Sequence, residues 1–318
     1  MRAPPLPRAL SSRAPTLLFA AALVALPLVL PNAYYFDVAI RIAVNATLAI
    51  ALNLLIGYAG QISLGHAAFF GLGAYGSAIL VGAFGWPPLA ALLASAAAVG
   101  ALAYLVGRAI LRLEGHYLAM ATLGLGVVAS IALSNEVALT GGPDGMAVPD
   151  FSVFGWRLAG ERSWYWAFAA LLVAAILIAG NLVDSPAGRA LRALHGSQTA
   201  ARTLGVDAAS FKTRVFVLSA VAAAFVGSLY GHYEGFVTPG LAAFPKSVQL
   251  VTMVVVGGMA SIWGSVLGAA LLSLAPELLA RFEGYETIGY GAILVATMIF
   301  LPRGIAPSLA ARFGRKAA

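Results

Sequence analysis

The sequence predicts an all-α, polytopic integral membrane protein with about ten transmembrane helices. Of its 318 residues, 61% are hydrophobic and 10% are charged, and the mean hydropathy is +0.91. A soluble globular chain is ~25% charged. No Asp, Glu, Lys or Arg occurs from Ile42 to Gly107. Because a helix crosses a bilayer with roughly 20 apolar residues, this composition excludes a soluble fold and indicates consecutive spans.

Ten apolar runs, separated by Gly, Pro or charged residues, mark the predicted spans. They are Thr16–Leu30, Val38–Ile56, Ile62–Gly82, Pro87–Gly107, His116–Ser134, Ser163–Val183, Thr213–Gly231, Ser247–Val256, Ser261–Ala280 and Thr287–Leu301. The first run also resembles a secretory signal, but it lacks a good cleavage site and more spans follow, so we expect it to remain. The eighth run is short and needs tilt or a neighbouring helix to complete a crossing.

The basic residues predict the orientation of these spans. Ten spans place both termini on one side, and basic residues near span ends favour the cytoplasmic side. On that assignment the outside holds only Arg41, Arg157, Arg162, Lys246 and Arg281, which leaves 14 of the 19 basic residues in the cytoplasm. We therefore expect a single transmembrane domain over 1–318, with a cytoplasmic tail (1–15), an external loop (135–162), a cytoplasmic loop (184–212) and a basic C-terminal tail (302–318).

A glycine-rich stretch, GYAGQISLGHAAFFGLGAYG from Gly57 to Gly76, carries polar residues at membrane depth. Glycine density favours a broken span, whose freed backbone groups line pathways in many transporters. Asn53, Gln61, Ser63 and His66 are therefore candidate pathway residues, since polar groups inside a membrane are costly unless they face a cavity or each other. The alternative is tight helix packing, with His66 satisfied by a carbonyl.

Other stretches add further candidates for the pathway. VVVGGMASIWGSVLGAA, from Val254 to Ala270, aligns loosely with the first stretch and contributes Ser261; close packing explains it equally well. Thr122 is a candidate within the fifth run. LTGGPDGM contains a tight turn, and either it is only that turn or its residues Thr140, Gly141, Gly142 and Asp144 form part of an outer gate.

The cytoplasmic loop is patterned as a short helix pair. Ser185 is placed to cap one helix and Ser197 a second, which runs from Gln198 to Leu204 and ends at Gly205. A compact helix with small residues suits a groove on another protein. The candidate contacts are Arg192, Ala200, Ala201, Arg202 and Gly205. The alternative is a solvated basic loop that follows the charge bias.

The same loop resembles the cytoplasmic coupling loop of ABC-transporter permeases. Together with GYAGQISLGHAAFFGLGAY, GHYLAMATLG, LTGGPDGM and the region from HYEGFVTPG to FLPRGI, it resembles the branched-chain amino acid permease family over roughly residues 38 to 305. That resemblance implies uptake of leucine, isoleucine, valine or, in relatives, urea or amides, across the bacterial cytoplasmic membrane. It also implies a second permease subunit, two ATP-binding subunits and a periplasmic or lipoprotein binding protein.

The chain departs from the family pattern in the coupling helix. The family usually has acidic residues where this chain has Gln198 and Arg202, so an ATPase partner is expected to carry a compensating acidic patch. No G-x-x-x-x-G-K-[ST] phosphate loop occurs. We therefore expect no cofactor in this chain, ATP and Mg²⁺ to be bound by partner subunits, and the chain itself not to be an enzyme.

The residues support two competing functions less well. A stand-alone secondary transporter or channel usually carries acids or an arginine inside its spans, and the predicted span interiors have none. An intramembrane protease would need a G-x-S-x-G or H-E-x-x-H motif, and neither occurs. The basic residues indicate contact with membrane lipid rather than with nucleic acid, because most of them lie at the predicted cytoplasmic ends of the spans. An uncharged interior suits a zwitterionic or neutral solute.

Overall fold

A computed structural model describes residues 8–153, 156–279, 291, 295, 299 and 304–308, and these residues are predominantly helical. The helices are α1 (Arg8–Ala25), α2 (Ala33–Asn53), α3 (His66–Gly82), α4 (Pro88–Ile110), α5 (His116–Asn135), α6 (Val137–Thr140), α7 (Glu161–Asp184), α8 (Pro186–Gly196), α9 (Gln198–Thr203), α10 (Ala208–Glu234), α11 (Phe244–Gly257) and α12 (Ile262–Leu279). The fold class predicted from composition is confirmed as an all-α membrane protein.

Five helical stretches are long and apolar enough to cross a membrane: α2 with its π-helical extension, α4, α5, α7 and α10. Shorter apolar helices occupy the first, third, eighth and ninth predicted runs. The tenth run, Thr287–Leu301, and the basic tail, 302–318, lie almost entirely outside the described residues. The total of ten spans and the side of each terminus therefore stay predictions. The first helix differs in its bounds, since it begins at Arg8 and ends at Ala25.

Helix α10 lies in the middle of the bundle, where it packs along α3, α4 and α2. Small residues allow this close approach. A side chain added at Gly73 would lie 2.2 Å from the Ala224 carbonyl oxygen of α10, and one added at Gly227 would lie 1.9 Å from the Phe70 carbonyl oxygen of α3. Helix α2 packs on α7 and α12 on its other sides. The core is therefore a set of tightly nested helices around α10 and α2.

Two short antiparallel ladders were not predicted. Strand β1 (Met146–Ala147) pairs with β4 (Phe236–Val237), and β2 (Ser152–Val153) pairs with β3 (Trp156–Arg157). The predicted external loop, 135–162, thus contains α6 and three strands. The β1–β4 ladder joins this loop to the segment after α10 because extended backbone there needs hydrogen-bond partners. It lies at the end of α10 opposite α8 and α9.

Two breaks interrupt the helices as the glycine-rich stretches predict. Helix α2 continues into a π-helical turn, Leu54–Tyr58, and the chain is then non-helical through residues 60–65 until α3 begins. Helices α11 and α12 are separated by residues 258–261. Gly60 and Gly258 have φ values of +66° and +118°, a region that glycine adopts without strain.

Candidate translocation pathway and coupling loop

The α2–α3 loop, residues 60–65, descends into the bundle instead of lying at its end. Phe69, in the first turn of α3, packs edge-to-face on Phe216 with ring centroids 5.5 Å apart. Phe216 lies eight residues into α10, which corresponds to about 12 Å along that helix. The loop therefore carries non-helical backbone into the bundle, which transporters tolerate where the chain is buried or lines a cavity.

Few hydrogen bonds hold this loop. The Gln61 amide donates to the Leu55 carbonyl at 2.9 Å, and the Leu64 amide donates to the Thr122 hydroxyl of α5 at 3.1 Å. Thr122 also donates to Ala119 at 3.0 Å. The pathway role predicted for Thr122 is untested, and the structure gives its hydroxyl a supporting position beneath the loop.

Three polar side chains of the loop region are buried without a partner among the described residues. Gln61 and Ser63 are each 2% exposed and His66 is 0% exposed. The side-chain nitrogen and oxygen of Gln61, the Ser63 hydroxyl and both His66 ring nitrogens make no hydrogen bond to any described group. A buried polar group without a partner costs about 1–3 kcal/mol, so these groups are available to water or a solute.

The first turn of α3 adds backbone donors to the same region. Its N-cap is Gly65, which offers no side chain to the free amides of the first turn. The Ala67 amide donates to the Ser247 hydroxyl of α11 at 3.0 Å. The start of α3 therefore lies against the start of α11, and the helix dipole makes this end positive.

Asn53 and Ser261 join the two helix breaks. The Asn53 side-chain amide donates to the Ser261 carbonyl at 2.9 Å and to the Ser265 hydroxyl at 2.8 Å, and its oxygen accepts from the Ala260 amide at 3.0 Å. The Ser261 hydroxyl caps α12 by accepting from the Gly264 amide at 3.0 Å. Ser63, its aligned counterpart, does not cap α3. These hydrogen bonds show that Asn53 and Ser261 stabilise the packing of the two helix breaks. Their binding to a solute stays a prediction.

The LTGGPDGM segment forms a compact turn at the β-ladder end. The Thr140 hydroxyl lies 2.7 Å from the Leu133 and Glu136 carbonyls, to which it donates, and it accepts from the Gly142 amide at 3.1 Å. Gly141 and Gly142 both have positive φ, at +75° and +64°. Asp144 is exposed. The tight turn is thus present, and nothing in the structure tests its role as an outer gate.

A polar network between α2, α10, α11 and α12 was missed. The Lys246 ammonium donates to the Asn45 side-chain oxygen at 2.9 Å, and Asn45 donates to Ser273 of α12 at 2.9 Å. Nearby, Arg41 pairs with Asp37 at 2.9 Å and with Glu234 at 3.3 Å. Lys246 was placed outside the membrane because it precedes the eighth run, but its long side chain reaches inward to α2. Asn45 inside the second run was the available signal.

The helix pair of the coupling loop, residues 184–212, is confirmed with its caps. Ser185 accepts from the Gly188 amide and Ser197 from the Ala200 amide, both at 3.3 Å. Helix α9 is followed by Gly205, whose φ is +81°. Arg192, Ala200, Arg202 and Gly205 are exposed, as contacts to a partner require.

Ala201 differs from its prediction as a contact residue. It is 2% exposed and packs with Leu194 and Ala208 in a small apolar cluster that holds α8, α9 and α10 together. A side chain directed into this cluster is not available to a partner. Leu204, which was not singled out, is 81% exposed beside Gly205.

The coupling loop touches the α2–α3 loop directly. Helix α8 packs on the π-helical turn that follows α2. A side chain added at Gly60 would lie 3.0 Å from the His195 ring nitrogen Nδ1. His195, near the end of α8, is thus seated on the glycine that opens the loop carrying Gln61, Ser63 and His66. Movement of α8 must displace that loop or break this contact.

A bundle of apolar helices, a buried polar loop and an amphipathic helix pair in contact with it are together typical of a membrane permease. The chain matches the family described as the permease component of branched-chain amino acid transport systems over residues 34–302. It therefore belongs to that family, and the family resemblance read from its motifs is confirmed.

Relatives of this family cover most of the chain. The chain is 33% identical over 300 residues to the high-affinity branched-chain amino acid transport system permease protein LivM of Escherichia coli, covering 85% of this chain and 69% of the relative. It is 26% identical over 287 residues to LivH of the same organism, covering 82% and 90%. It is 28% identical over 281 residues to BraD of Pseudomonas aeruginosa, again covering 82% and 90%. No solved structure matches the chain.

Proposed function

We propose that this chain forms one half of the translocation path of an ATP-driven importer for branched-chain or other neutral amino acids. The observation that carries the proposal is the contact between His195 of α8 and Gly60 of the α2–α3 loop. A transporter powered by separate ATPases needs a mechanical link from its cytoplasmic surface to its pathway. A secondary transporter or channel has no such need.

The partners follow from this arrangement and from the relatives. LivM and LivH are both named as permease proteins of branched-chain amino acid transport systems, which supports a second, related permease subunit in the complex. Two ATP-binding subunits would dock on α8 and α9 and bind the ATP and Mg²⁺. A substrate-binding protein would meet the β-ladder end. The chain would lie in the bacterial cytoplasmic membrane with about ten spans and both termini in the cytoplasm.

Within the path, Gln61, Ser63 and His66 are the proposed solute contacts. Their buried side chains have no partner among the described residues, and the uncapped start of α3 lies beside them in sequence. Interrupted helices in transporters direct their positive N-termini at anionic groups of the substrate. An amino acid carboxylate fits the start of α3, and its ammonium group fits the neutral acceptors nearby.

Lys246 favours an amino acid over urea, the alternative solute. Among the described residues its ammonium contacts only neutral oxygens, those of Asn45 at 2.9 Å and Gln249 at 3.2 Å. An ammonium inside the protein without a paired anion is unfavourable. A solute carboxylate would neutralise it, since the adjacent residue, Ser247, contacts the first turn of α3. Urea offers no such charge.

The test is ATP hydrolysis in proteoliposomes that contain this chain, its partner permease, the ATPases and the binding protein. Leucine, isoleucine, valine, alanine and urea are supplied in parallel. We expect stimulation by a neutral amino acid, and for Lys246→Met a rise of about tenfold in the concentration needed for uptake, with Lys246→Arg close to the unmodified chain. Uptake by this chain alone, driven by an ion gradient without ATP, would refute the proposal. If Lys246→Met took up solute as well as the unmodified chain, only the argument from the Lys246 charge would fail.

A further inference from the structure

A cavity lies where α4 ends and α10 begins, beside the coupling helix α9 and away from the proposed path. Its volume is about 840 Å³. Its polar half is lined by five basic side chains: Arg108, Arg112, Arg202, Lys212 and Arg214. Asp207 is the carboxylate among the lining residues, and it already caps α10 by accepting from the Ser210 amide at 3.2 Å. The cavity therefore carries a strong positive charge.

The basic side chains lack anionic partners. None of the five forms an ion pair in the part of the chain that the structure describes, although Glu114 follows closely after Arg112. Arg108 instead lies over the Tyr104 ring, with its guanidinium carbon 5.5 Å from the ring centroid. Lys212 is 7% exposed, and its ammonium donates to the neutral side-chain oxygen of Gln198 in α9. The Lys212 ammonium also interacts electrostatically with Glu114, so the four arginines carry most of the uncompensated charge.

The other half of the cavity is apolar and continues along the membrane-spanning part of α10. Its lining there includes Val217, Leu218 and Val221, and Leu111 from the end of α4. Ser210 and Val221 are separated by eleven residues, so the cavity follows α10 for about 16 Å. The site thus has a cationic head region at the membrane surface and an apolar groove running from it toward the membrane interior.

We propose that this cavity binds an anionic phospholipid of the cytoplasmic leaflet, with the phosphate among the arginines and an acyl chain along α10. Basic pockets between transmembrane helices on the cytoplasmic side suit lipid phosphates. An acidic patch on an ATPase would reach the arginines but not Val217 and Val221. The proposal rests on the proposed function for placing this end of the bundle in the cytoplasm.

The site connects lipid to the coupling helix. Gln198 and Arg202 belong to α9, while Lys212 and Arg214 belong to α10, and the Lys212–Gln198 hydrogen bond joins the two helices. A phosphate seated between them would hold α9 against the bundle.

The experiment measures lipid retained by the intact transporter. The complex is purified from nanodiscs of phosphatidylcholine with or without phosphatidylglycerol, and native mass spectrometry counts the lipid bound to this subunit. We expect phosphatidylglycerol to be retained several-fold more than phosphatidylcholine. Arg112→Gln and Arg214→Gln should each lower retention about fivefold, as loss of one basic contact predicts. Arg189→Gln, an exposed cytoplasmic arginine of α8 outside the cavity, is the matched control.

Two further arms separate the possible sources of the anion. Val221→Trp fills the apolar groove, so it should lower phosphatidylglycerol retention while the arginines remain. Inorganic phosphate should not displace the lipid. Equal retention of the two lipids, or displacement by phosphate alone, would overturn the proposal. So would a result in which Arg112→Gln keeps the lipid but loses the ATPases, because the cavity would then bind protein. Lipid counting does not depend on solute-stimulated ATP hydrolysis, so this test remains readable if the proposed function fails.

Discussion

Replacing Asn53 by leucine should separate the two helix breaks. Asn53 makes three hydrogen bonds to the α11–α12 segment, at 2.9, 2.8 and 3.0 Å, and is 1% exposed. Interhelical hydrogen bonds in membranes average ~0.6 kcal/mol, which gives roughly 2 kcal/mol for three. The orphaned Ala260 amide adds about 1–3 kcal/mol where water cannot replace the lost acceptor. We expect Asn53→Leu to lower the free energy of unfolding by about 3–5 kcal/mol.

The assay is an SDS titration of the chain in mixed micelles, followed by tryptophan fluorescence. Trp263 in α12 reports on this joint, because it packs on Phe19 with ring centroids 5.3 Å apart. Thr47→Val is the control, since the Thr47 hydroxyl bonds the Ala43 carbonyl within α2 at 2.8 Å and its loss should be close to neutral. The reasoning is refuted if the two variants unfold at the same SDS concentration.

The remaining predictions concern the coupling loop. Gly60→Ala and Gly85→Ala should each lower the free energy of unfolding by about 1–2 kcal/mol, because both glycines have φ near +65°. Only Gly60→Ala should reduce solute-stimulated ATP hydrolysis. An added side chain at Gly60 meets His195, whereas one at Gly85 meets open space. Equal activity of the two variants would show that the His195 contact transmits nothing. Ala200→Glu should keep the thermal stability but lose the ATPases on co-purification, whereas Ala201→Glu should lower the melting temperature, because Ala201 is buried. Retention of the ATPases by Ala200→Glu would place their contact elsewhere.

The water-exposed helices were predictable in detail, whereas the faces of the membrane helices were not. In α8 and α9 the caps at Ser185 and Ser197 and the stop at Gly205 were read from residue type, because polar and apolar positions differ in water. Within the membrane, lipid-facing and core-facing residues are both apolar. Nothing in the pattern of α5 therefore distinguishes exposed Met120 from buried Leu118.

The errors in the prediction of individual residues also have physical reasons. Helix α9 has six residues, fewer than two turns, so its pattern could not show that Ala201 faces inward while Ala200 faces out. Lys246 was assigned by its position before an apolar run, but a four-carbon side chain carries its ammonium far from its backbone. The break after α2 was expected from glycine content, yet its position, through residue 65, depends on Thr122 in another helix.

The geometry of the α2–α3 loop explains how a small motion of α8 reaches the middle of the membrane. The loop is attached at one end to a π-helical turn under α8 and at the other to α3, whose Ala67 amide contacts Ser247 of α11. Between them it is held by few bonds, and Gly60 supplies a position where the backbone turns without strain. A displacement of His195 is therefore expected to rotate the loop rather than the nested helices around α10, because α3 and α10 approach closely where their glycines meet the neighbouring backbone. Gln61, Ser63 and His66 would move with the loop, so ATP-driven motion would change which solute groups they meet.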